Sequence, residues 1–169
     1  MDSAALRAAQ QPLKDAYRDD PQLAVITLQA QGTLGDEEVS CAVSTGTAMT
    51  AAGLHPATGG DGSLACSGDM LLQALVACAG VTLRAVATSL QLSVRAGTVR
   101  AEGDLDFRGT LGVSREAPVG FTSIRLSFDL DTDASDEQIA TLLQLTERYC
   151  VVYQTLAQPA RLTAAINRT

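Results

Sequence analysis

The sequence predicts a mixed α/β fold of the α+β kind, and three observations carry that prediction. Segments with two-residue alternation stand on both sides of one long apolar segment of helical character. A second helix near the C-terminus announces its start with capping residues. Neither an internal repeat nor a linker-like stretch divides the chain. With 169 residues, 46% of them hydrophobic, a single domain over residues 1–169 is expected.

Taken in order, Ala4 to Tyr17 set Leu6, Leu13, Ala16 and Tyr17 at helical intervals, a weak helix interrupted by Pro12. Gln22 to Thr33 reads as a strand, Gly35-Asp36 as a turn and Glu37 to Thr45 as a second strand. Together they predict an antiparallel hairpin. Gly53 to Gly68 (GLHPATGGDGSLACSG) is a long irregular loop. No GK[ST] follows its glycines, so it is not a phosphate-binding loop. Asp69 to Leu90 is predicted as a central helix, apolar nearly all round and therefore buried on most sides. Ser67 and Asp69 offer acceptors and negative charge at its start.

Val94 to Arg108 and Gly120 to Asp131 are two further strands, joined through a loop over Gly109 to Val119. In the second, Phe121, Ser123, Arg125, Ser127 and Asp129 alternate with Thr122, Ile124, Leu126, Phe128 and Leu130. Ser135 and Gln138 form a capping box, with Asp136 and Glu137 favourable to the helix dipole. The apolar face that follows runs through Ile139, Leu142, Leu143, Thr146, Tyr149, Cys150 and Tyr153. Ala160 to Asn167 is predicted as a last strand.

Net charge is −7, Lys14 is the only lysine, and no Lys or Arg occurs from Asp19 through Cys78. Such a balance repels both a nucleic-acid duplex and an anionic membrane surface. Aromatic residues, 4% of the chain with no Trp, leave few platforms for stacking bases. Met1 to Asp20 lacks the apolar run of a signal peptide. Met70 to Leu90 is interrupted by Gln73, Thr82 and Arg84, so a buried core helix in a cytoplasmic protein is expected.

Four cysteines remain to be weighed: Cys41, Cys66, Cys78 and Cys150. Their spacing fits no zinc motif. Cys78 shares a helix face with Leu71 and Leu75, and Cys150 lies on the apolar face of the later helix. If those faces meet, the two form either a redox pair or two ordinary core thiols. Cys41, in a strand, reads as a core thiol; Cys66, just before the central helix, is an alternative partner for a reactive cysteine. His55 has no second histidine to build a metal site with. No G-x-S-x-G motif marks a serine nucleophile.

The segment SGDMLLQALVACAGVTLRAVA, Ser67 to Ala87, resembles the central-helix signature of the OsmC/Ohr family. TERYCVVYQTL, Thr146 to Leu156, is similar to that family's second cysteine motif, with Val151 where proline often follows the cysteine. The order of elements fits over most of the chain. The resemblance implies antiparallel sheets around a long buried central helix, in an intertwined homodimer. It also implies a two-cysteine thiol peroxidase without metal or organic cofactor, acting on organic hydroperoxides or hydrogen peroxide. Cys78 would be the peroxidatic residue, Cys150 would resolve its sulfenic acid as a disulfide, and a dithiol would restore both. The family activates its cysteine with an Arg positioned by a Glu. Asp69 best matches the Glu, and Arg18 is the nearest candidate for the Arg. Arg84, six residues past Cys78, falls off its helical face. The rivals are a non-enzymatic binding or redox-sensing protein of the same fold, and a metal protein using all four thiolates.

Overall fold

A computed structural model describes residues 3–34, 41–43, 52–158, 160–166 and 168. Helix α1 (Ser3–Asp19) continues through Pro12. The proline removes one helical N–H, but Leu13 and Tyr17, one turn apart, share a face that packs into a small apolar cluster with Ala24, Ala57, Phe107 and Leu111. The Tyr17 hydroxyl donates to the Ala57 carbonyl at 2.8 Å, which fixes the helix to the chain forty residues on.

The predicted strand at Gln22 starts later than expected. Asp20 accepts the Gln22 N–H and Pro21 supplies the first position of a 3-10 turn over Pro21–Ala24. Strand β1 (Val25–Leu34) follows and pairs antiparallel with β2 (Cys41–Val43), as the hairpin reading expects. The Gly35-Asp36 turn and the remainder of the second predicted strand lie outside the described residues.

The 53–68 stretch is more ordered than its composition suggests. Short strands β3 (Ala52–Gly53) and β4 (Ala65–Cys66) pair in parallel, with a 3-10 turn, Pro56–Thr58, between them. Gly60 shows why glycine is needed there: a Cβ would lie 1.8 Å from the Leu54 carbonyl oxygen. His55 caps the 3-10 turn, accepting the Ala57 N–H on Nδ1, and stacks on Phe107 with ring centroids 5.0 Å apart.

Helix α2 (Ser67–Ser89) begins two residues before the predicted start. Its N-cap is Cys66, with no side-chain cap bond. On length and composition α2 could cross a bilayer. Here it lies across β1 and against the later helices, burying Leu72, Leu75, Val76, Ala79 and Leu83. Burial is less complete than the all-round apolar pattern predicts, because Met70, Leu71 and Val81 remain open to solvent. Arg84 is buried near the C-terminal end, where it donates to the Val94 carbonyl and so ties α2 to the next strand.

Strands β5 (Val94–Asp106) and β6 (Phe121–Thr132) complete a four-stranded antiparallel sheet in the order β2-β1-β5-β6. Val99 and Ala101 point into the core. Arg95, Arg100 and Arg125 instead form exposed ion pairs with carboxylates across the β5–β6 ladder. The alternation in β6 holds except at Phe121, predicted on the polar face. A register shift opposite Asp104 and Leu105 leaves Thr122 without a partner and turns Phe121 inward. Its ring lies over Gly103, where a Cβ would approach it to 2.4 Å. A single helical turn, α3 (Phe107–Thr110), shortens the predicted β5 strand at its end, capped by Asp106.

Helix α4 (Asp136–Tyr149) has the predicted capping box, with both reciprocal bonds between Ser135 and Gln138 present. It does not run on past Cys150. The backbone becomes extended there, and a separate helix, α5 (Val151–Ala157), begins. The predicted final strand is absent: residues 160–166 carry no regular structure, and Leu162 and Ile166 are more than nine-tenths exposed. No strand of the described chain pairs with them there. Asn167, the end of that predicted strand, lies outside the described residues.

Candidate active site

Cys78 lies in the middle of α2, one turn after Leu75 and one before Thr82, and is half-buried. Cys150 occupies the break between α4 and α5 and is fully buried. Each thiol acts on the ionisation of the other. Both pack into the same apolar cluster, with Leu75, Val76, Val152, Tyr153 and Leu156 around them.

The break determines the electrostatics. Cys150 ends α4 and also caps α5, its Sγ accepting the Tyr153 N–H at 3.4 Å. The first N–H groups of a helix have no partner within it. Here the N–H groups of Val151 and Val152 are among the groups that favour the Cys78 thiolate. Burial is the largest single influence on Cys78 and opposes its ionisation. It is outweighed by the Val152 N–H, the Cys150 thiol, the Val151 N–H and the Thr82 hydroxyl, so the thiol lies below its ordinary range. Cys150 responds in the opposite sense. Burial, reinforced by the neighbouring Cys78, pushes its thiol up to about 11 despite the Tyr153 N–H. One sulfur is therefore half-buried and ionises more easily than an ordinary thiol, while the other is enclosed and holds its proton more firmly.

The other residues singled out in the sequence lie elsewhere. Asp69 is in the first turn of α2, nine residues before Cys78, which is about 13 Å along a helix axis. Burial raises its carboxyl and His55 partly offsets that. Arg18, on α1, makes a half-exposed ion pair with Asp15 at 2.6 Å, and α1 packs mainly on the two 3-10 turns and α3. None of the groups acting on Cys78 named above is basic. Cys66 caps α2 twelve residues from Cys78, about 18 Å along the axis. A disulfide needs Cα atoms within about 7 Å, so Cys66 is no alternative partner while α2 is intact, and a site using all four thiolates is ruled out with it. The side chain of Cys41 lies outside the described residues. Among the described residues no group of three or more His, Cys, Asp or Glu is placed to hold a metal.

A family model described as OsmC-like protein matches residues 60–165. The chain belongs to the OsmC-like family. Among solved structures, an OsmC-like hydroperoxide resistance protein from Jannaschia sp. CCS1 is similar in fold, with a TM-score of 0.60 and 16% identity. That likeness covers 86% of this chain and 95% of the other. No curated protein matches. The OsmC-like match takes in Asp69, Cys78 and Cys150 and excludes Arg18, which precedes it.

Val151, Val152 and Thr82 are the site residues that the sequence reading missed. Thr82 was accessible, being four residues from Cys78 on the same face. The two valines act through backbone N–H groups, and an OsmC-like proline after Cys150 would have marked a helix start that Val151 conceals. A test follows from this substitution. Proline is accepted at the first position of a helix but has no N–H. In Val151→Pro, the alkylation of Cys78 by iodoacetamide at neutral pH is expected to slow by about threefold, as the thiolate fraction falls. An unchanged rate in a folded variant would remove the Val151 N–H from the account.

Proposed function

We propose that this OsmC-like chain is a two-cysteine thiol peroxidase, with Cys78 as the attacking residue and Cys150 as its resolving partner. The observation that carries the proposal is the pair itself: a half-buried Cys78 and a fully buried Cys150 in one apolar cluster, the first thiol lowered and the second raised. The Cys78 thiolate attacks the distal oxygen of a hydroperoxide. The O–O bond breaks, its electron pair leaves with the proximal oxygen, and that oxygen takes up a proton. The peroxide is reduced to an alcohol, or to water if it is hydrogen peroxide, and Cys78 is oxidised to a sulfenic acid. The Cys150 sulfur then attacks the Cys78 sulfur, whose hydroxyl leaves as water with the Cys150 proton, and a disulfide closes. A dithiol reduces it by exchange and is itself oxidised to a disulfide.

A cleft of about 420 Å³ between β6 and the α4–α5 pair supports organic hydroperoxides as substrates. Its walls include Leu75, Phe121, Ile124, Leu126, Leu143 and Leu156, and Leu75 is the α2 residue one turn before Cys78. The solved protein similar in fold is described as acting in hydroperoxide resistance, in keeping with the same reading. A second reading, a redox sensor of the same fold, draws on one observation: the groups acting on Cys78 are dipoles with no cation among those named. Consumption of an alkyl hydroperoxide with a small dithiol donor separates the two. Sustained turnover supports the peroxidase; a disulfide formed once, without turnover under any dithiol, supports the sensor.

The protein acts as a homodimer on this proposal, in the cytoplasm. Met70, Leu71 and Val81 present apolar side chains on the same helix as Cys78, and Leu162 and Ile166 extend from the tail. Exposed apolar groups favour a covering surface, and a second copy would supply one. Sedimentation at micromolar concentration is expected to give twice the chain mass of 17.5 kDa; a monomer at that mass would overturn the dimer.

A further inference from the structure

The break at Cys150 leaves a conflict among backbone groups that one side chain resolves. In an unbroken helix the Val151 N–H would bond to the Glu147 carbonyl, four residues back. In this chain Cys150 takes φ −73° and ψ 108°, α4 ends, and α5 starts afresh against α2, with the Val151 N–H among the groups that favour the Cys78 thiolate. The Glu147 carbonyl loses its usual donor. Gln154 replaces it: the side-chain Nε2 reaches back over seven residues and donates to that oxygen at 2.9 Å, partly buried. The backbone N–H of Gln154 meanwhile donates to the Cys150 carbonyl at 2.9 Å. One residue is thus tied to α4 by its side chain and to the break by its backbone.

We propose that Gln154 is a positioning residue: by occupying the Glu147 carbonyl it prevents α4 and α5 from closing into one helix, and so keeps the first turn of α5 directed at the Cys78 sulfur. The proposal rests on the reading of Cys78 as the attacking thiol. Its physical basis is competition for a single acceptor. With Gln154 in place, the Glu147 oxygen is satisfied and the Val151 N–H is available to sulfur. Without it, the same N–H has a stronger acceptor within reach, since a carbonyl oxygen accepts better than sulfur, and Cys78 loses a donor.

The test is the pH profile of Cys78 alkylation in the full-length protein, read by mass spectrometry. Cleavage before Asp69 and Asp104 gives a 69–103 peptide whose sole cysteine is Cys78. In Gln154→Leu the profile is expected to move to higher pH, and the rate at neutral pH to fall about fivefold. Gln154→Asn, one methylene too short to reach the oxygen, is expected to do the same and serves if the leucine variant does not fold. Thr155→Val removes a bond within α5, from its hydroxyl to the Val151 carbonyl at 2.7 Å, and is expected to leave the profile where it is. Wild-type profiles in both Gln154 variants, whatever happens to the melting temperature, would overturn the proposal. Peroxide plays no part in this readout. A shifted profile in a protein that never turns over peroxide would retain the positioning role and remove the peroxidase.

Discussion

Cys78→Ser is expected to lower peroxide consumption by on the order of a thousandfold or more, as removal of a nucleophile does, while the protein stays folded. A serine hydroxyl is nearly isosteric with the thiol, so Leu75, Val76 and Ala79 of α2 keep their packing in the core. The hydroxyl does not ionise near neutral pH, however, and the donors from Val151, Val152 and Thr82 that favour a thiolate act on a group with no charge to stabilise. The check is loss of an alkyl hydroperoxide with a dithiol donor, beside a circular dichroism spectrum. A folded variant retaining turnover within tenfold of the parent would remove Cys78 from the chemistry.

Cys150→Ser separates attack from resolution. The serine oxygen still accepts the Tyr153 N–H, a better cap than sulfur, and keeps a polar hydrogen in the place of the Cys150 thiol. The first attack on peroxide is therefore expected to proceed within about threefold of the parent rate, because the donors to the thiolate remain. Turnover then stops. Among the described residues Cys78 then holds a sulfenic acid with no thiol beside it, Cys66 being about 18 Å away along α2. Excess peroxide carries it to the irreversible sulfinic acid. Rapid-mixing kinetics give the first step, and intact mass gives the second as a gain of two oxygens. Continued turnover in this variant would mean that a thiol other than Cys150 resolves the intermediate.

What could be read in the sequence was whatever local chemistry decides. The capping box at Ser135 and Gln138 needs only four consecutive residues, and the alternation in β6 needs only one sheet face. Both cysteines were legible as a pair of apolar-face thiols on separate helices. The division at Cys150 was not. Tyr149 to Tyr153 carry apolar side chains that suit a continuous helix, and the bond that spans the break comes from Gln154, whose side chain reaches back to the Glu147 carbonyl. The resemblance points to an arginine as the activating group, whereas two of the four groups that favour the Cys78 thiolate are backbone N–H donors, which leave no signature in composition. Phe121 was assigned to the wrong face because one unpaired residue reverses the side-chain alternation. The tail was read as a strand from its own pattern, but a strand also requires a neighbour, and the described chain offers it none.

The central claim, that a reachable Cys78 and an enclosed Cys150 form one redox pair, is tested most directly by adding one equivalent of an alkyl hydroperoxide to the reduced protein and mapping the products. Trypsin is unsuitable, since no Lys or Arg separates Cys41, Cys66 and Cys78. Cleavage before aspartate releases 69–103 with Cys78 and 136–169 with Cys150. The account predicts these two peptides joined by a disulfide that a dithiol removes. Both peptides recovered unlinked, with neither sulfur oxidised or with Cys78 bonded to another cysteine, would contradict it.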